Sequence, residues 1–254
     1  MSAELYLLGT GASISDPHRT TTMLAFAASD SIVLVDCGGD AFQRLLVCGL
    51  DPGKITALIV THEHPDHVSG FPLLVEKLWL GGRRKPLPVC GISPAVRQAR
   101  RAFESFDTSG WPDLTPLNWR EAPEREGALV WEDEVWHIVG APGVHAVPCI
   151  GLKVTDKATG RTVAYSGDTE PSQAICRLAR HVDVLVHEAT GTAPGHSSGE
   201  DAANIANEAK ARRVLLVHLP PFAQLDDGRL AKIKRLFSNV ERGKEGGRYP
   251  FGDN

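Results

Sequence analysis

The chain has 254 residues, of which 42% are hydrophobic and 23% charged, an ordinary globular composition with ample length to bury a core. A formal net charge of −4 and an isoelectric point near 6.2 exclude a global electrostatic footprint for nucleic acid. No stretch approaches the roughly 18–20 apolar residues that a membrane helix needs. Two local basic runs remain, "GGRRKP" (81–86) and "RQARR" (97–101), with five arginines and one lysine between them. Either run alone reads as a solvated loop or helix face. The five cysteines are odd in number, widely spaced and without a CxxC pair. Cys37, Cys48, Cys90 and Cys149 sit in apolar runs, as reduced, buried thiols do. "MSAELYLLGTG" lacks the basic start, long apolar run and cleavage site of a signal peptide, so the expectation is a cytoplasmic protein.

In chain order, 4–9, 23–28 and 31–36 are short apolar runs between turn residues and read as strands. Helical spacing follows over 40–49, with Phe42, Leu45, Leu46 and Cys48 roughly on one face. "ITALIV" (55–60) is the continuous run of a strand buried on both faces, and it delivers the chain directly into "THEHPDHVSG". A helix interrupted near Pro72 and a strand over 87–91 come next. Residues 93–106 then read as a helix with Ser93 as N-cap and Pro94 at its first position. The Trp-, Pro- and Glu-rich segment 107–134 has no clear periodicity. Strand alternation resumes at 134–141, and 149–167 predicts a hairpin around a short Gly-ended turn. Helix 171–181 leads to buried strand 182–188. Helix 197–213 opens with a capping-box pattern at Ser198 and Asp201, strand 213–219 follows, and 228–237 is a last helix. The tail "RGKEGGRYPFGDN" (242–254) has no periodicity and reads as peripheral. Parallel strands need cover on both faces, so the expected fold is α/β, a four-layer αββα sandwich in one domain over 1–254.

Five apolar runs end in, or lead to, a strong ligand type: His62, His145, Asp168, Glu188 and His218. The first begins a cluster of three histidines and one aspartate within positions 62–67. Side chains two apart on an extended loop point the same way, so His62 and His64 can grip one divalent ion. Asp66 and His67, beyond Pro65, can face a second. His145 completes the first set, His218 the second, and Asp168 can bridge both. All-nitrogen-and-oxygen ligation of this kind suits Zn2+, and tolerates Mn2+ or Fe2+. Taken singly, His145 or His218 would read as a packing histidine and Asp168 as a turn residue. His18, His137 and His181 have no such company and read as surface or packing residues. Asp36 ends a strand and reads either as the carboxylate orienting a metal-bound imidazole or as a turn residue.

"LGTGASISDPHRTTTM", "LVDCGG", "THEHPDHVSGFPLL", "YSGDT" and "VLVHEAT" followed by "GHSS" together resemble the metallo-β-lactamase superfamily, and within it the ribonuclease Z branch. The resemblance runs over most of residues 4–220. It implies the αββα fold, a dinuclear and usually zinc centre, a homodimer, and hydrolysis of phosphodiesters. Matched by position, His62, His64, Asp66, His67, His145, Asp168 and His218 fall on the metal ligands. Glu188 and His196 fall on the pair that assists proton transfer, and the catalytic candidates are these two together with the ligand Asp66. Two departures stand out. Ribonuclease Z enzymes carry a long RNA-gripping arm where this chain has only a hairpin's length between His145 and Asp168. The last histidine here is followed by "HLPPF" rather than by a hydroxyl residue and a downstream arginine.

Two divalent ions bring +4 and the two aspartates return −2, a net positive site that favours an anionic substrate. The expected activity is that of a phosphodiesterase using a bridging hydroxide, on a small molecule or an RNA end. The alternatives are a transfer RNA 3′-end endonuclease proper, hydrolysis of an aryl sulfate, thioester or lactone, and a non-catalytic metal-stabilised scaffold for nucleic acid.

Overall fold

The computed structural model describes residues 3–14, 16–221 and 225–252. Two seven-stranded sheets face each other with helices on their outer sides, the expected αββα sandwich. In the first sheet, β1 (Glu4–Gly9), β2 (Met23–Ala28) and β3 (Ser31–Val35) form an antiparallel meander. From β3 the sheet continues in parallel through β4 (Ile55–Val60), β5 (Leu87–Ile92) and β6 (Leu117–Ala122). In the second, β7 (Ala128–Glu132), β8 (Trp136–Pro142), β9 (Ile150–Asp156) and β10 (Thr162–Tyr165) are antiparallel neighbours. There β10, β11 (Val184–Glu188), β12 (Val214–Val217) and β13 (Val240–Arg242) run parallel.

The continuous apolar runs now have a cause. Along β11 and β12, Val184, Val186, Leu215 and Val217 face the core between the sheets. Leu185, Val214 and Leu216 face the outer helices. A strand covered on both sides has no polar face to show. The outer cover on that sheet includes α6 (Gly199–Ala209), which starts with the full Ser198/Asp201 capping box.

Several sequence readings are corrected. The expected interruption near Pro72 falls at Ser69–Gly70: α2 (Pro65–Val68) ends there, and Pro72 lies in the first turn of α3 (Phe71–Leu80), where its missing N–H costs nothing. Ser93 is inside α4 (Ser93–Glu104), with Ile92 in the cap position, a one-residue shift. Segment 107–134 supplies β6 and β7. Arg83 is no part of a basic surface: it is 7% exposed and donates to the carbonyls of Ile55, Lys85 and Pro86.

The largest correction concerns the tail, expected to be peripheral. β14 (Gly247–Pro250) pairs antiparallel with β1, and Phe251 is buried in edge-on contact with Phe26 and beside Trp136. One edge of the first sheet is otherwise open, and an edge recruits any strand whose backbone can reach it. Phe251→Ala should therefore destabilise the protein by about 3–5 kcal/mol, read as a lower urea midpoint at an unchanged slope. A midpoint like wild type would show that the tail packs only loosely.

No helix among the described residues is long and apolar enough to cross a membrane.

Candidate metal centre

The parallel strands deliver their C-terminal ends to one rim. His62 follows β4, Asp168 follows β10, Glu188 closes β11 and His218 follows β12. His145 comes from the loop between β8 and β9, and His196 from the loop before α6. The fold thus brings together residues up to 156 positions apart, from His62 to His218. The "CGG" turn after β3 clamps the histidine loop from below: Cys37 N–H donates to His67 O at 2.7 Å and Gly70 N–H to Cys37 O at 2.8 Å. A Cβ on Gly38 would lie 1.6 Å from the Asp66 carbonyl, so the approach is open only to glycine.

Three nitrogens meet on one side. His64 Nδ1 lies 3.1 Å from both His62 Nε2 and His145 Nε2. The outer nitrogens decide which of these are lone pairs. His145 Nδ1 donates to Gly195 O at 2.6 Å. His62 Nδ1 lies 3.1 Å from Thr61 Oγ1, whose own proton goes to Asp36. Both Nε2 atoms are therefore acceptors aimed at His64 Nδ1, which can satisfy only one of them. On the other side, His218 Nε2 lies 3.4 Å from Asp66 Oδ2 and 3.2 Å from Asp168 Oδ2. His67 Nε2 lies 3.6 and 3.5 Å from the same two atoms. His67 Nε2 and Asp168 Oδ1 are buried and make no hydrogen bond. Such orphaned groups are costly unless a cation satisfies them. The donor set is all nitrogen and oxygen, so the residues fit divalent ions. His62–His64–His145, His62–His67–Asp168 and Asp66–His67–His218 each present ligand atoms within 4.8 Å of one another.

The electrostatics follow from this crowding. Burial, reinforced by His67, holds His62 well below the ordinary histidine range, and burial with His145 lowers His64. Burial alone would raise the two carboxylates, but His218 and His67 outweigh it. They hold Asp168 well below the usual carboxylate range and lower Asp66 as well. Burial pulls His67 down too, yet Asp168 and Asp36 overcome it and push it well up.

Asp36 sits at φ +61° and is fully buried. Its carboxylate accepts Thr61 N–H at 2.8 Å and His67 Nδ1–H at 2.8 Å. That second bond turns His67 Nε2 toward the cluster, the orienting arrangement of a ligand imidazole. Thr190 does the same for His218, with Oγ1 2.7 Å from Nδ1. Glu188 is buried and accepts from Thr169 N–H and Thr190 N–H, while His196 Nδ1 lies 3.0 Å from one of its oxygens. This contact, ahead of burial, which opposes it, raises His196 above its ordinary value.

Sequence reasoning passes over Thr61, Thr190, Glu170 and Gly195, because hydroxyl, carboxylate and glycine residues in loops carry no periodic signal. His18, His137 and His181 lie outside the cluster, while buried His187 alternates to the other side of β11 from Glu188.

A β-lactamase superfamily domain matches residues 32–219. The chain belongs to the metallo-β-lactamase superfamily. Within the superfamily it is a metal-dependent hydrolase of the ribonuclease Z-like branch. A ribonuclease Z of Mycolicibacterium gilvum is 30% identical over 95% of this chain and 94% of its own. Two solved structures share the fold. The metallo-β-lactamase fold protein YhfI from Bacillus subtilis superposes with a TM-score of 0.80 at 24% identity, covering 98% of this chain and 100% of that one. The short form of human tRNase Z does so with a TM-score of 0.80 at 22% identity over the same shares. In this superfamily member the interval from His145 to Asp168 holds only the β9–β10 hairpin.

Proposed function

We propose that the protein is a phosphodiesterase with a dinuclear centre. His62, His64 and His145 would hold one ion and Asp66, His67 and His218 the other, with Asp168 available to both. The observation carrying this reading is the pair of ligand sets on either side of one buried carboxylate whose second oxygen has no protein partner. When bound, two such ions (Zn2+, with Mn2+ or Fe2+ as substitutes) would lower the pKa of a water at the site from about 15.7 toward about 7 and would stabilise negative charge on phosphorus.

The protein's own groups do the rest. Asp36 and Thr190 fix the imidazoles of His67 and His218 so that their Nε2 lone pairs need no reorganisation. Glu188 anchors His196 through Nδ1, which leaves Nε2 as the free nitrogen of the ring. Protonated His196 then donates to the departing alkoxide from that side. Asp66 belongs to the catalytic group through the ion it would share with His67 and His218, whose Nε2 atoms lie 3.6 and 3.4 Å from its Oδ2.

The hairpin in place of an arm supports a small phosphodiester or a short RNA end as substrate. The ribonuclease Z name of the relatives favours one second reading, cleavage at the 3′ side of precursor transfer RNA. Free cysteines support a reducing, cytoplasmic setting. Exposed Leu46 and Val47 on α1 (Ala41–Val47), with Leu73 and Leu80 on neighbouring α3, support a homodimer.

The test is metal analysis of purified protein followed by a substrate panel: bis-p-nitrophenyl phosphate, cyclic nucleotides, an aryl sulfate, a thioester and a precursor transfer RNA. The expected result is metal-dependent turnover of the small diesters, abolished by chelator and restored by Zn2+ or Mn2+. Turnover confined to the sulfate or thioester would overturn the reading, and efficient 3′ cleavage of the precursor would establish the second one.

A further inference from the structure

Glu170 stands two residues beyond Asp168, half-buried, in no metal-ligand set, and without a cationic side chain within 4 Å among the described residues. Its carboxylate accepts one hydrogen bond there, from Gly195 N–H at 2.8 Å. Gly195 is held from its other end by His145, whose Nδ1–H reaches Gly195 O at 2.6 Å. Its φ is +84°, and an added Cβ would lie 2.9 Å from His145 Nδ1, so the residue has little room to move. His196 is next in the chain. The loop from Gly191 to Gly195 belongs to no helix or strand and is largely exposed, so its few bonds determine where it lies. Glu170 is itself fixed: its N–H donates to Val144 O at 2.7 Å, next to His145, and its carbonyl accepts Thr169 Oγ1–H at 2.7 Å.

We infer that Glu170 is a positioning residue that pins Gly195, and through it sets both the His145 ring and the backbone carrying His196. A charged acceptor is suited to this, since a bond from a backbone N–H to a carboxylate is about twice as strong as a neutral one.

This inference rests on the metal-centre reading, and its test separates the two. Co2+ binding to metal-stripped protein is followed by titration calorimetry and visible absorption, alongside kcat and KM for bis-p-nitrophenyl phosphate and the thermal midpoint. For Glu170→Ala, kcat should fall roughly 10–100-fold, the range for groups that orient metal ligands. KM should stay within about twofold, and one of two Co2+ affinities should weaken roughly tenfold. Glu170→Gln keeps an oxygen acceptor and should recover most of both losses. Wild-type Co2+ affinity and kcat in Glu170→Ala would overturn the inference, and so would a Gln variant as impaired as the Ala variant. A folding defect in Glu170→Ala that Glu170→Gln shares, read from the thermal midpoint, would also overturn it. Wild-type protein that binds Co2+ but leaves the diester intact would sink the phosphodiesterase reading while the titration still decides the role of Glu170.

Discussion

Asp168→Ala should lose most of its bound metal and lower kcat/KM on bis-p-nitrophenyl phosphate by at least about 10³-fold. Asp168 is 2% exposed, and one of its oxygens lies 3.2, 3.5 and 3.9 Å from His218, His67 and His62. The proposed ligand sets meet only through this carboxylate, so its removal affects both. A loss of about 4 kcal/mol in transition-state stabilisation corresponds to that 10³-fold drop. His64→Ala is the companion variant. It removes the nitrogen facing both His62 Nε2 and His145 Nε2 but leaves the Asp66–His67–His218 set intact. Bound metal should fall from about two ions toward one, measured by mass spectrometry on dialysed protein. Full metal content and full activity in either variant would make the dinuclear reading wrong.

The second large effect concerns the leaving group. His196→Ala should lower turnover by roughly 10²–10⁴-fold for a diester with a poor alkoxide leaving group, the usual contribution of a general acid. The loss should be much smaller for p-nitrophenyl esters, because p-nitrophenolate departs without needing a proton. Equal losses on both substrates would remove His196 from the acid's role and leave it a structural one.

The pH dependence has a definite sign. An acid must be protonated to act, so the rate falls as pH rises through the pKa of His196. Glu188, 3.0 Å away and negatively charged, raises that pKa against the opposing effect of burial. Glu188→Gln removes the charge, so the alkaline limb of the kcat profile should move to lower pH. An unmoved or upward-shifted limb would show that another group sets it.

The candidate ligands are legible in the amino-acid sequence because their signal is local. A strand buried on both faces must be apolar, so a His, Asp or Glu at its end stands out, and His62, Asp168, Glu188 and His218 all do. The αββα arrangement is legible for the same reason, since continuous apolar strands alternating with helices have few ways to pack. The pattern of three histidines and an aspartate needs no partner to be noticed.

What holds those side chains in place is not legible there. Asp36 is the exception, readable at its strand end as a carboxylate for an imidazole, but Gly195 reaches His145 across 50 positions and Thr190 reaches His218 across 28. A hydrogen bond between distant loops leaves no periodic trace in either of them. Arg83 reads as part of a surface run and is instead buried against three carbonyls, a choice made by what packs over it. The tail reads as peripheral because a four-residue strand is too short to show a period, and only the open edge of β1 gives it a partner. The sequence by itself determined the layers and the donor types, because burial dictates residue chemistry one strand at a time. Only the tertiary structure decided which nitrogen of His62, His67, His145 and His218 faces the centre, because each of those tautomers is set by a hydrogen bond on the ring's far side.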